Sequence, residues 1–346
     1  MDRLAGIFII LFTLTLPMMA TCAPRYTNQI TPQRMLIVLS APSVDDPYYK
    51  DSFSKIIDFD VRFARAIMGH DNVVVLADKK TLPYLEGKLP DDILLEANID
   101  DIWIRDFGTV LPNKMVAFVY DRPKEKSIQQ SFARFARELG LKFSHSKLKV
   151  DGGNVVDSSD GTVILTDKVF ERNPGLTEKE LTRKLKGALG AKQIAYIPMD
   201  EEFLGHADGM VMFSNPHQLL VNNYPDDPEF KQEVLSALKH YLPGIKITEI
   251  EGAGYGEQYG DYASACGIYV NSVVTHNYIY APRFGNSKDH QALQTIQDSS
   301  DKKLISVDAQ NVCYLGGNLR CLSWQLTGEN ANKLIQAARE PHREAQ

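Results

Sequence analysis

The chain has 346 residues, of which 44% are hydrophobic and 24% charged, and its formal net charge is −6. That length can bury one large core or two smaller ones, and that balance excludes a disordered or membrane-embedded chain. A net negative charge with no basic patch leaves no footprint for a nucleic-acid partner; an acidic surface suits a cationic ligand instead.

At the N-terminus Arg3 precedes an uncharged, mostly apolar run over 4–20, followed by Thr21, Cys22 and Ala23. This order reads as a secretory signal peptide over 1–23. The run is shorter than the roughly 20 residues a membrane span needs, which leaves a retained anchor as the other reading. A secreted or otherwise extracytoplasmic location is expected. No stable membrane association is expected beyond that segment, because no later stretch is long and apolar enough to cross a bilayer. Residues 24–34 are polar and unpatterned and read as a flexible entry.

The next stretch alternates strand and helix patterns. An aliphatic strand over 35–40 precedes a helix over 52–69 and strands over 73–76, 102–104 and 115–120. Ile128, Phe132, Phe135 and Leu139 then share a helical face that stops at Gly140. After a strand over 163–165, Thr177-Glu178-Lys179-Glu180 forms a capping box for a helix that runs to Gly190. Strands over 209–213 and 219–222 lead to Asp227-Pro228, a cap with a first-turn proline, and to a helix over 227–241. Strands over 269–274 and 278–281, a helix over 287–298 and a strand over 322–325 follow. Strands and helices interleave with no linker rich in Pro, Gly or Ser. This predicts one mixed α/β domain over 35–327, built from five strand-and-helix units, with 328–346 as a charged tail.

Four loop clusters set polar residues beside apolar strands: Asp100 to Gly108, Asp151-Gly152-Gly153-Asn154, Gly205-His206-Ala207-Asp208-Gly209, and Gly316-Gly317-Asn318-Leu319-Arg320-Cys321. Taken singly, a glycine pair marks a turn or a close backbone approach. On an extended segment His206 and Asp208 project from one face, which suits general acid/base work; a solvated His beside a turn-forming Asp is the alternative. No second His or Cys stands at ligand spacing, so no metal site is expected. Trp103, Arg105 and Asp106 on a strand could offer an aromatic face and a carboxylate to a planar cation, or an exposed ion pair.

Cysteines stand at 22, 266, 313 and 321, too few for a disulfide framework in a chain this long. Removal of a signal peptide leaves three, and an odd count implies a free thiol. Cys266 and Cys313, beside aromatic or apolar residues, read as inert buried thiols. Cys321 is the candidate nucleophile. A thiol at its ordinary pKa is mostly neutral near pH 7 and needs a cationic neighbour, which His206 could supply. A buried inert cysteine in a strand, or one trapped in a disulfide with Cys313, is the competing reading.

In this order the clusters resemble the agmatine deiminase and Porphyromonas-type peptidylarginine deiminase family of guanidine-modifying enzymes. The match runs from about residue 98 to 326 and includes Ala281-Pro282-Arg283-Phe284-Gly285 besides the four clusters. The resemblance implies the pentein fold, a five-bladed pseudo-symmetric α/β propeller, and hydrolysis of a small-molecule or peptidyl guanidine with no cofactor. It assigns Cys321 as nucleophile, His206 as proton-transfer residue, and Asp106 with Asp208 as the carboxylates gripping the guanidinium. Trp103, Arg105, Asp151, Asn271 and Asn318 become candidates for substrate binding. An inactive secreted guanidine-binding protein, an amidinotransferase and a cysteine peptidase are the alternatives.

The departures concern the substrate. The family's early Trp-rich segment is absent, Asp151 stands where a Glu is common, and Arg320 where a His is common. Arg320 and Arg283 read as surface cations, or as partners of a substrate carboxylate.

Overall fold

The computed structural model describes residues 28–120, 126–200, 204–252 and 263–343, with 341–343 described by backbone alone. The apolar N-terminal run and Cys22 lie outside the described residues. Among those described, eight helices and fifteen strands form a mixed α/β fold with five separate small sheets.

The first unit comprises β1 (Leu36–Ser40), α1 (Phe53–Ile67), β2 (Asn72–Ala77) and β3 (Leu94–Glu96). β1 and β2 run parallel, with Leu36 opposite Asn72. Both are buried along their whole length, which is why they read as continuous apolar runs. The crossover helix α1 buries Ile56, Phe59, Phe63 and Ile67 and ends at Gly69, whose φ of 84° a side chain would resist.

The second unit holds a one-turn helix α2 (Ile104–Phe107), β4 (Val116–Val119), α3 (Lys126–Glu138) and β5 (Ser144–Lys149). The third holds β6 (Val156–Asp157), β7 (Thr162–Thr166), α4 (Lys168–Arg172), α5 (Glu178–Leu189) and β8 (Gln193–Ile197). The fourth holds β9 (Val211–Asn215), β10 (Gln218–Asn222), α6 (Pro228–Tyr241) and β11 (Lys246–Ile250). The fifth holds β12 (Val273–Val274), β13 (Tyr278–Arg283), α7 (Asp289–Asp298) and β14 (Lys303–Asp308). In the last three units an antiparallel hairpin is followed by a helical crossover to a parallel strand. The second unit keeps the crossover and reduces its hairpin to a bridge between Val110 and Val116. The first unit borrows its antiparallel strand from the far end of the chain: β15 (Ser323–Leu326) pairs with β1, Leu326 opposite Leu36.

The expected helices form, with the Thr177–Glu180 capping box and the Asp227 cap in place. Several expectations are corrected. Residues 102–104 are no strand: the Asp101 carboxylate accepts the Ile102 amide at 2.7 Å, and Ile104 to Phe107 turn into α2, buried on all sides. Of 269–274 only Val273–Val274 pair as a strand, and β15 begins after Cys321. Residues 328–343, read as part of a charged tail, form α8 (Gly328–Arg343), because Ala331, Leu334, Ile335 and Ala338 recur at helical spacing and bury beside Val74, Leu76 and Leu326. Within the expected flexible entry, Asn28 is buried and exchanges hydrogen bonds with Val73. The strands that pattern reading misses, such as β5, β11 and β14, are partly exposed and carry Lys at their ends, as edge strands do.

Trp324 of β15 is fully buried, donates Nε1–H to Thr109 Oγ1 at 2.9 Å and meets Phe132 edge-on at 5.1 Å. Trp324→Ala is expected to lower stability by about 3–5 kcal/mol, the usual cost of truncating a large buried aromatic, as read by equilibrium denaturation.

Candidate active site

The polar clusters occupy equivalent places. Each lies where the chain leaves the parallel strands of one unit and enters the antiparallel strand or bridge of the next. Asp106 on α2 precedes the Val110 bridge, Asp151 to Asn154 precede β6, and His206 with Asp208 precede β9. Asn271 precedes β12, and Cys321 precedes β15.

These segments meet around Gly153. A Cβ placed there would lie 2.7 Å from both Asp106 Oδ1 and His206 Nδ1 and 3.2 Å from Asp208 Oδ1, so the three side chains surround one point. The Gly153 amide donates to Asp106 Oδ1 at 3.1 Å. Gly152 must also lack a side chain, since a Cβ would collide with the Arg105 carbonyl. His206 is buried between carboxylates, Nε2 lying 3.1 Å from Asp151 Oδ2 and Nδ1 3.5 Å from Asp106 Oδ1. It sits on extended backbone, as expected, but Asp208 belongs to the tight turn Ala207–Gly209 and not to a strand. Asp151 also faces Lys168 and Arg172 of α4 at 3.6 and 3.8 Å, two cations that sequence pattern did not single out.

Cys321 is the free cysteine among the described residues, and it is buried. Its Sγ accepts from Asn271 Nδ2 at 3.1 Å and lies 3.9 Å from Asp208 Oδ2. Asn271 Oδ1 accepts the Cys321 amide at 3.3 Å, so this side chain grips the nucleophile segment at two points. Burial, then the charges of Asp208 and Asp106, push the thiol well above its ordinary range, against hydrogen bonds from Asn318 and Asn271. Burial likewise raises the Asp208 carboxyl, against the attraction of Arg320 and His206. Cys266 and Cys313 are not free thiols. They form a disulfide, so Cys313 is unavailable to trap Cys321.

Other candidates take different places. Trp103 is half-buried and its ring lies against Gly317, where a Cβ would collide with it and stand 2.9 Å from Cys321 Cβ. Arg105 is neither an exposed ion pair nor an open binding group. It is buried, desolvation lowers its guanidinium to about 9, and its charge faces Asp208 and Cys321 from inside the fold. The Asn318 side chain turns away from the pocket to bond Ala265 and Ile268 carbonyls at 2.8 and 3.3 Å. Arg320 is no surface cation: its Nε lies 3.6 Å from Asp208 Oδ2 and its Nη2 donates to the Val155 carbonyl at 2.7 Å. Arg283 is occupied by Asp308 at 3.1 Å. Asn154 ties the floor together, its Oδ1 accepting from the Thr166 and Ala207 amides.

A buried thiol, an imidazole and two facing carboxylates can hold a flat cation, attack it and shuttle a proton. Gly153→Ala is expected to lower turnover by about 10²-fold, since displacements near 1 Å at reacting groups cost that much, with the circular dichroism spectrum unchanged.

Comparison with known proteins places this geometry in context. The family model for the Porphyromonas-type peptidyl-arginine deiminase matches residues 27–326. An agmatine deiminase of Medicago truncatula is 25% identical over 330 residues, covering 76% of this chain and 86% of that one. The solved agmatine deiminase of C. jejuni superposes with a TM-score of 0.74 at 18% identity, covering 88% of this chain and 95% of that one. That of Enterococcus faecalis superposes with a TM-score of 0.71 at 18% identity, covering 87% and 95%. A model match over nearly the whole described chain, on top of a site in which its motifs converge, means that the chain belongs to the Porphyromonas-type peptidyl-arginine deiminase family.

Proposed function

We propose that the protein hydrolyses a guanidinium group to a ureido group and ammonia through a covalent intermediate on Cys321. The observation that carries this reading is the convergence of Cys321, Asp208, Asp106 and His206 on one buried point. A guanidinium stays protonated at ordinary pH and presents a planar fork of donors that carboxylates match. Asp106 and Asp208 orient it, and Trp103 offers an aromatic wall beside the nucleophile. The Cys321 thiolate attacks the central carbon to give a tetrahedral adduct. Ammonia departs with a proton from His206, leaving a thiouronium. Water, deprotonated by the same His206, adds to that carbon, and collapse expels the thiolate and frees the ureido product. Asp151 orients the His206 ring.

The pocket's charge explains why a cation is required. Burial and then two neighbouring carboxylates push the thiol up; a bound guanidinium cancels the carboxylates' field, so that the thiol proton passes to His206, which then gives it to the departing ammonia. Relatives that are agmatine deiminases support a small guanidine as substrate.

The five units are read as blades around a common centre. A cavity of about 370 Å³ supports this, since Gln325, Asn113, Asp157, Ser214 and Thr275 line it, one from each unit in turn. Arg320 lines it too, standing between that cavity and Asp208. An extracytoplasmic location is supported by the apolar N-terminal run and by the Cys266–Cys313 disulfide, a bond that persists in oxidising compartments.

Agmatine, free arginine and arginine peptides incubated with the protein are expected to yield ammonia and ureido product in equal amounts from at least one substrate. Cys321→Ala should abolish this, and ureido formation at wild-type rate in that variant would sink the reading. Asp208→Asn is expected to lower kcat/KM at least about 30-fold, because losing one member of a desolvated charge pair costs roughly 2 kcal/mol or more. The raised thiol pKa gives a sign: ultraviolet thiolate absorbance, taken as the difference from Cys321→Ala, should be absent at neutral pH and appear when an unreactive guanidinium ligand binds.

A further inference from the structure

We propose that the Cys266–Cys313 disulfide is a positioning element of the reaction, fixing the two segments that supply hydrogen bonds to the nucleophile. This rests on the reading of Cys321 as nucleophile. Cys266 opens the segment that leads to Asn271, and Cys313 opens the one that leads to Asn318 and Cys321. The segments end in β12 and β15, which belong to different sheets, so no strand ladder sets their register.

What joins them is local. The Ala265 amide donates to the Cys313 carbonyl at 2.9 Å, beside the disulfide. Asn318 Nδ2 reaches back to the Ala265 and Ile268 carbonyls. Farther along, the Arg320 amide donates to the Asn271 carbonyl at 3.3 Å, and Asn271 holds both the amide and the sulfur of Cys321. The covalent bond stands at the head of this ladder of polar contacts and the nucleophile at its foot. Asp106, His206 and Asp208 arrive on segments that the disulfide does not bridge, although the Asp208 carbonyl accepts from Asn271 Nδ2 at 3.1 Å. Opening the bond is therefore expected to disturb attack more than cation capture.

The test compares the untreated protein with protein reduced by a water-soluble phosphine, and with a Cys266→Ser/Cys313→Ser double variant. The phosphine gives two electrons to the S–S bond and takes the oxygen of water. The two protons of that water complete the two thiols, and the phosphine leaves as its oxide. Two readouts are taken: kcat and KM per folded molecule, and the pH profile of Cys321 alkylation by iodoacetamide, followed on the Cys321 peptide by mass spectrometry. Reduced protein and double variant are expected to lose roughly ten- to a hundred-fold in kcat, the range for small misplacements of reacting atoms, with a smaller change in KM. Their alkylation profiles should move along the pH axis, and phosphine should not affect the double variant further. Unchanged kcat and superimposable profiles after verified reduction would overturn the proposal, even if the melting temperature fell, since that marks a strut for stability alone. If the untreated protein makes no ureido product from any guanidine, the functional reading fails, and the alkylation profiles alone decide the role of the disulfide.

Discussion

Burial and two neighbouring carboxylates oppose ionisation of the Cys321 thiol, and the rest of the molecule is arranged around that opposition. Burial raises the cost of charge on Cys321 and Asp208 alike. A protein under selection for stability alone would not place them together. The fold tolerates the arrangement by surrounding it with compensating groups: Arg105 and Arg320 face Asp208, Lys168 and Arg172 face Asp151, and His206 stands between Asp106 and Asp151. What remains unbalanced is the face toward the thiol, where a planar cation would complete the set.

Holding this constellation requires backbone from far-separated parts of the chain to approach more closely than side chains allow. Gly152, Gly153 and Gly317 meet that demand, each where a Cβ would strike a carbonyl, a carboxylate or an indole ring. Side-chain amides do the remaining work. Asn154 joins the turn before β6 to the one before β9, and Asn271 joins the turn before β12 to the one before β15. The five sheets themselves never touch the chemistry; they set the positions of the turns that do.

Much of this was open to a reader of the chain. The Gly, Asp, His and Cys residues of the clusters stand out because they interrupt apolar runs, and their order along the chain carries the resemblance. Period and end signals locate α1, α3, α5, α6 and α7 because each has a wide apolar stripe and most have a stop or cap. Residues 102–104 mislead because Ile-Trp-Ile alternates like a strand, while the backbone answers to the Asp101 side chain. The charges of α8 mask its apolar stripe. Arg320 and Asn318 show the limit of motif reading. They stand side by side next to the nucleophile, yet one points toward Asp208 and the other away, a difference set by long-range packing. The disulfide was invisible for the same reason: 47 residues separate its partners, and only the folded path of the chain brings them together.

The pairing of β15 with β1 carries a consequence for how the reactive set is divided along the chain. Trp324 and its neighbours lie beside the first strand of the domain, which anchors the segment carrying Cys321. The imidazole and the acids all precede the sulfur in chain order, so a ribosome delivers the reactive atom last of that set. A shortened polypeptide ending ahead of residue 321 would contain the imidazole and both acids and still lack the sulfur that attacks, so those three groups alone could bind a guanidine and leave it unchanged.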